Sequence, residues 1–93
     1  MPELHFHIRW PDGSCERCYS PSRVVRDYFS PGGSYALTEF VERSRMALGI
    51  ASARVKAKYG FTCSSAMDQL SRIERRAERF TPTATVTVES FEE

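Results

Sequence analysis

The sequence has no long apolar segment and no motif that carries a known chemistry. About 18 consecutive apolar residues, the length of a membrane-spanning helix, occur nowhere, and Met1 to Ile8 lack the basic and apolar regions of a signal peptide. We therefore expect neither membrane insertion nor export. A glycine-rich phosphate loop and a Gly-x-Ser-x-Gly turn are also missing, which favours a non-enzymatic protein.

Cysteine is scarce. Cys15, Cys18 and Cys63 are too few and too unevenly spaced for the disulfide framework of a small secreted domain, so we expect a reducing cytoplasm. The C-x-x-C spacing of the first two, with His5 and His7 nearby, suggests zinc. However, three residues along a strand point two thiols to opposite faces, and no second C-x-x-C pair follows. We expect no metal and no cofactor.

The length and composition are those of a single globular domain, which we place over residues 1–93. The chain is 41% hydrophobic and 27% charged, within the ordinary range for such domains. The formal net charge of +1 hides an asymmetry, because residues 43 to 79 contain nine Lys and Arg against three Asp and Glu. The helical half is therefore the basic half.

The chain begins with a predicted β-hairpin. Apolar and polar residues alternate from Leu4 to Trp10, and Pro11-Asp12-Gly13 supplies a turn before a second strand that ends near Tyr19. The register stays open. A two-residue turn would pair Phe6 with Tyr19, whereas a three-residue loop with a glycine bulge would pair Phe6 with Cys18.

Three helices are predicted next. Ser20-Pro21 resembles an N-cap followed by a proline in the first helical position, so we expect a short helix that ends near Ser30, before a flexible loop at Pro31 to Ser34. A long helix follows from about Thr38 to Tyr59, with Gly60 as its C′ residue. Its predicted core face contains Leu37, Phe40, Val41, Ala47, Leu48, Ala51, Val55 and Tyr59.

The last helix opens with Ser65 to Asp68, which fits a capping box, and its apolar seam runs to Phe80. Thr83 to Glu89 then alternates as a β-branched strand. The order β-β-α-α-α-β predicts a two-layer α+β domain, in which a three-stranded, mainly antiparallel sheet packs against a long αα-hairpin. Because the most apolar strand should be central, we predict the strand order 2-1-3.

The long helix has a second apolar stripe. Met46, Ile50, Ala53 and Ala57 lie opposite the core arc, and a surface helix of a monomer needs only one such stripe. Burial under the short first helix or the glycine loop would account for it. We expect instead that small residues with one methionine let two copies of the helix meet across a two-fold axis, so the stripe predicts a homodimer.

Two similar corners suggest a ligand site. Cys18-Tyr19-Ser20 and Cys63-Ser64-Ser65 each place a cysteine two residues before a predicted helix-capping serine. Helix N-termini attract anions and lower the pKa of a nearby thiol, so convergence of the corners would form a site for a small anion or a reactive thiol. The alternative is buried cysteines beside ordinary caps. A two-residue hairpin turn would add a Cys18–His7 pair, although no third orienting group is evident.

The last helix also has a basic ridge that predicts an anionic partner. It consists of Arg72, Arg75, Arg76 and Arg79. A docking surface for an acidic protein and a purely solvated face both account for the ridge, and a solvated face is the commoner explanation. Nucleic acid is disfavoured, because aromatic residues are scarce along the ridge and the sequence pI of about 7.7 is below that of typical nucleic-acid-binding domains.

Three segments together resemble a known family. They are Trp10-Pro11-Asp12-Gly13, Cys18-Tyr19-Ser20-Pro21-Ser22 and the stretch from Lys58 to Met67. Their order and the chain length resemble those of a small bacterial family of nitrogen starvation response proteins, encoded beside a nitrilase, a radical-SAM protein, a flavoprotein and an acetyltransferase. Cys15 departs from that family's pattern.

The resemblance implies a cytoplasmic accessory protein of nitrogen or nitrile metabolism, with proteins of the same gene cluster as possible partners. It supplies no catalytic or binding residue. Our leading hypothesis is thus a non-enzymatic accessory or regulatory homodimer that acts through protein contacts. A small-molecule-binding domain or thiol enzyme at the cysteine corners and a basic nucleic-acid-binding regulator are the alternatives.

Overall fold

A computed structural model describes residues 3–60 and 64–92 of the chain. It is an α+β structure, as predicted. The elements in chain order are β1 Leu4–Arg9, β2 Cys15–Ser20, α1 Val25–Tyr28, β3 Gly33–Ala36, α2 Leu37–Tyr59, α3 Ser64–Ala77 and β4 Thr85–Glu92. In the described ranges, no helix is both long and apolar enough to cross a membrane.

The sheet has four strands rather than the predicted three. All pairings are antiparallel, and the order is β2-β1-β4-β3. The predicted arrangement 2-1-3 is retained within this order, but the C-terminal strand β4 is central because β3 covers its outer side. The additional strand lies in and just after the predicted flexible loop. It pairs Ser34 with Thr87, and the two hydroxyl oxygens are 3.2 Å apart.

The hairpin takes the register of the three-residue loop. Phe6 is paired with Cys18, and His7 with Arg17. The loop closes through the amide of Trp10, which donates to the carbonyl of Ser14 at 2.8 Å, and Gly13 has a φ of 88°. Cys18 therefore faces the core beside Phe6, and the register that would set His7 opposite Cys18 is wrong.

The first and last helices begin elsewhere than predicted. Ser20 is the last residue of β2, and its hydroxyl donates to the carbonyl of Ser22 at 2.6 Å, so it stabilises a turn instead of capping a helix. The helix α1 begins only at Val25 and has 4 residues. Similarly, Ser65 lies inside the first turn of α3, which begins at Ser64, so it is not the N-cap of a capping box.

The long helix α2 agrees closely with its prediction. Gly60 has a φ of 82°, and its amide donates to the carbonyl of Lys56 at 2.8 Å, as expected of a C-terminal glycine. The predicted core face is buried or half-buried up to Val55. Tyr59 is the exception with 51% exposure, because the last turn of the helix extends beyond the core.

The core lies between one face of the sheet and the helices, which is the expected two-layer arrangement. Trp10, at the end of β1, is 1% exposed, stacks on Phe80 with ring centroids 5.8 Å apart and meets Phe40 edge-on. The buried cluster contains Leu4, Phe6, Ile8, Trp10, Cys18, Val25, Phe29, Leu37, Phe40, Ala47, Leu48, Leu70, Ile73, Val86 and Val88.

Candidate functional site

A basic cavity of about 510 Å³ lies where α3 passes the edge strand β2. Its wall contains the four predicted ridge residues, three on α3 and Arg79 in the turn after the helix, together with an arginine and a glutamate from β2. We call the set Arg17, Arg72, Arg75, Arg76 and Arg79 the arginine surface, and Glu16 is the sixth lining residue. Steps of three and four residues place the helical members on one side of α3.

Three members of the arginine surface have no carboxylate partner in the described part of the chain. Arg72 and Arg79 make no ion pair with a described residue, and Arg75 donates only to the carbonyl of Ser71 in its own helix, at 3.4 Å. All three side chains are exposed. Their charge is therefore available to a partner.

Arg76 is held more firmly than its neighbours. Its guanidinium carbon lies 5.5 Å from the ring centroid of Trp10, and it donates to Glu16 Oε1 at 3.4 Å and to the hydroxyl of Ser14. Glu16 Oε1 also accepts the indole N–H of Trp10 at 3.0 Å. The carboxylate thus orients both side chains, and Arg76 has a fixed direction in the cavity wall.

Arg17 connects the cavity to the uncovered face of the sheet. Its guanidinium pairs with Glu92 at 2.8 Å, and Glu92 also accepts a hydrogen bond from His7 Nε2 at 2.8 Å. The bonds from Arg17 and then from His7 lower the pKa of Glu92 from 4.5 to about 2. At neutral pH Glu92 is therefore ionised, and it offsets the charge of Arg17.

The predicted cysteine corner is only partly within the described residues. Cys63 lies outside them, while Ser64 and Ser65 are exposed at the start of α3. The second turn of α3 does lie beside β2, since Gln69 Oε1 accepts the amide of Tyr19 at 3.0 Å.

The β2 side of that corner is buried. Cys18 is 0% exposed, and burial together with Glu16 raises the pKa of its thiol well above the usual value. Ser20 is also 0% exposed, and its hydroxyl bonds within its own turn. Neither side chain offers a ligand contact from this side, and the site as a whole stays a prediction.

The other cysteine and the histidines lie on the uncovered sheet face. Cys15 is exposed, with its sulfur 3.7 Å from Glu89 Oε1, so the C-x-x-C thiols do point to opposite faces. His5 packs edge-on against Tyr19, and His7 bonds Glu92. Over residues 3–60 and 64–92, no group of three such side chains is placed to hold a metal ion.

The second stripe of α2 is open to solvent. Met46 is 51% exposed, Ile50 is half-buried, and Ala53 and Ala57 are exposed. The segment around α1 contacts the flank of α2 next to Ile50, where Arg43 donates to the carbonyl of Tyr28 at 2.7 Å and Arg54 to the hydroxyl of Ser22 at 3.1 Å. This segment borders the stripe and leaves Met46, Ala53 and Ala57 exposed.

Sequence reasoning missed two features of the molecule, namely the residues that complete the arginine surface and a separate groove between two helices. The contributions of Glu16 and Arg17 depend on the pairing of β2 at the sheet edge, and Ser14 and Trp10 reach Arg76 from about 60 residues away in the chain. A groove of about 950 Å³ between α2 and α3 was also missed, with Val41 and Phe80 among its lining. Local patterns hold no signal for either feature, because both arise from contacts between distant segments.

A family model described as nitrogen starvation-induced protein NitG matches residues 5–91, nearly all of the described chain and both sides of the basic cavity. No curated protein and no solved structure matches.

Proposed function

The chain belongs to the NitG family of nitrogen starvation-induced proteins, and from this premise we propose that it is a non-enzymatic accessory or regulatory protein of the cytoplasm. It acts by binding an acidic partner protein at the arginine surface. The observation that carries the proposal is the gathering of five guanidinium groups around one cavity, where Glu16 is the only carboxylate that the described residues contribute to the lining. Such a surface attracts and orients a negatively charged partner.

The geometry favours a protein over a nucleic acid. Among the described residues, none that lines the cavity is aromatic, and the nearby Trp10 is 1% exposed beneath Arg76, so this part of the chain offers no stacking surface to unpaired bases. The net charge of +1 is also small for a domain that binds phosphate backbones. Proteins encoded in the same gene cluster are the first partners to test.

The uncovered stripe of α2 supports a second part of the proposal, that two copies associate through Met46, Ile50, Ala53 and Ala57. Three of these residues are exposed and the fourth is half-buried, so an apolar strip lies along the outer side of the longest helix. Two such strips related by a two-fold axis would bury each other.

The partner contact is tested by capture from extracts of nitrogen-starved cells. The immobilised parent chain should retain an acidic protein, and the purified pair should bind less tightly as salt rises. Neutralising Arg72→Gln together with Arg79→Gln should weaken binding roughly five- to thirty-fold, since each exposed charge pair contributes up to about 1 kcal/mol.

The matched control is Lys56→Gln with Lys58→Gln, which removes the same charge from exposed positions near the end of α2. This variant should bind like the parent. Equal losses in both double variants, or an unchanged affinity in the arginine variant, would contradict the proposal. Retention of DNA or RNA in place of a protein would favour a nucleic-acid-binding regulator.

A further inference from the structure

The arginine surface directs several positive charges at one open depression. Its guanidinium groups come from three segments, Arg17 from the edge strand β2, three from α3 and Arg79 from the turn that follows α3, and they surround an open depression of about 510 Å³. Arg76 is fixed in this wall by Trp10, Glu16 and Ser14.

The arginines of the cavity that lack a carboxylate partner among the described residues favour an anion with more than one negative charge. Arg17 is already paired with Glu92, and Glu16 is engaged by Arg76 and Trp10. Arg72, Arg75 and Arg79 have no carboxylate partner among the described residues. One carboxylate from a partner would neutralise only one of these charges, whereas a phosphate group carries about two negative charges and three strong acceptor oxygens.

We propose that this cavity binds a phosphate group, carried either by a phosphorylated side chain of a partner or by a small phosphorylated metabolite. The inference rests on the proposed function, because it uses the same arginine surface, and it names the chemical group that is recognised there. Arg72, Arg75 and Arg79 supply the charge, and Arg76 supplies donors in a fixed orientation. Glu16 is a positioning residue that acts through Arg76.

The single tryptophan of the chain provides the readout. Trp10 lies against Arg76, so an anion that draws the guanidinium toward it should change the indole fluorescence. At constant ionic strength, inorganic phosphate should give a saturable change, and acetate should not. The arginine Nε–H resonances in NMR spectra provide a second readout that does not depend on fluorescence.

The variants of the capture experiment serve here as well. Arg72→Gln with Arg79→Gln should weaken phosphate binding by about tenfold or more, because charge-assisted hydrogen bonds are lost. Lys56→Gln with Lys58→Gln should leave it unchanged, and circular dichroism should show that both variants are folded. Absence of saturable phosphate binding in both readouts, or equal binding of acetate, would overturn the inference.

Two further ligands separate the sources of the phosphate. Tighter binding of an acidic peptide with phosphoserine than of its unphosphorylated form indicates a modified partner, and tighter binding of a nucleoside monophosphate than of phosphate indicates a metabolite. The two proposals can fail separately. A partner that binds the arginine surface through carboxylates alone would support the proposed function and refute the phosphate site. Saturable phosphate binding without a protein partner would support the phosphate site and refute the proposed function.

Discussion

At the scale of single residues, two glycines in or next to α2 should respond to the same substitution in opposite directions. Gly60 has a φ of 82°, which a side chain disfavours, whereas Gly49 is helical, and a Cβ built at either position would meet no atom of the described residues within 4 Å. Gly60→Ala should cost about 1 kcal/mol of unfolding free energy, and Gly49→Ala should add about 0.5–1 kcal/mol. Urea denaturation of both variants measures this, and the same sign for both would contradict the expectation.

Glu92 predicts a pH dependence of stability. Because Arg17 and His7 lower its pKa from 4.5 to about 2 in the folded chain, its contribution is complete above pH 4.5 and is lost as pH falls toward 2. Glu92→Gln should therefore lower the urea midpoint at pH 7, and the gap to the parent should narrow between about pH 4.5 and 2.

The control for that gap is Glu78→Gln, which removes an exposed carboxylate with no ion pair to a described residue. Its midpoint should follow that of the parent at every pH. A gap for Glu92→Gln that is constant from pH 7 to pH 2 would show that the carboxylate acts through its shape and not its charge.

At the scale of elements, the spacing of apolar residues predicted the secondary structure correctly where an element is long. The apolar arc of α2 and its glycine stop were visible in the sequence because 23 residues repeat the helical spacing many times. The strand β3 was missed because it has only 4 residues and begins at a glycine. Its conformation depends on its pairing with β4, and its own sequence pattern is too short to indicate a strand. The hairpin register stayed open since Pro11-Asp12-Gly13 suits both loop types.

The candidate site was also predictable only where the signal is local. Steps of three and four residues predicted the arginines that lie on α3, but Arg79 lies beyond the end of the helix, and β2 contributes Arg17 and Glu16 from a distant part of the chain. The serine caps failed for a related reason. Ser20 continues β2, and the pairing of Leu4 with Ser20 in the ladder outweighs the local preference for a helix start.

The contact of α3 with the edge strand β2 leads to a prediction about this pair of elements. Gln69 is 7% exposed, and its side-chain oxygen accepts the amide of Tyr19 at 3.0 Å, so α3 covers part of the sheet edge. Gln69→Ala should destabilise the fold by about 1 kcal/mol or more and speed hydrogen exchange at the Tyr19 amide. Ser71→Ala, exposed on the same helix, should leave that exchange rate unchanged.

At the scale of the whole molecule, the helices present two separate surfaces. The arginine surface is on the side of α3 next to the sheet edge, and the apolar stripe is on the outer side of α2. Because no residue belongs to both, a dimer through the stripe would leave two arginine cavities open. Each copy would then present one, and a partner with two acidic segments would bind more tightly than one with a single segment.

This arrangement makes the mass in solution the first quantity to measure. The parent chain should have twice the mass of its 10.6 kDa monomer, and Ile50→Glu should reduce that mass to the monomer value, because a charge would have to be buried at the centre of the stripe. Lys58→Glu, an exposed change on the same helix outside the stripe, should leave the dimer intact. Light scattering after size exclusion measures all three chains, and a monomeric parent would refute self-association while leaving the arginine surface available to a partner.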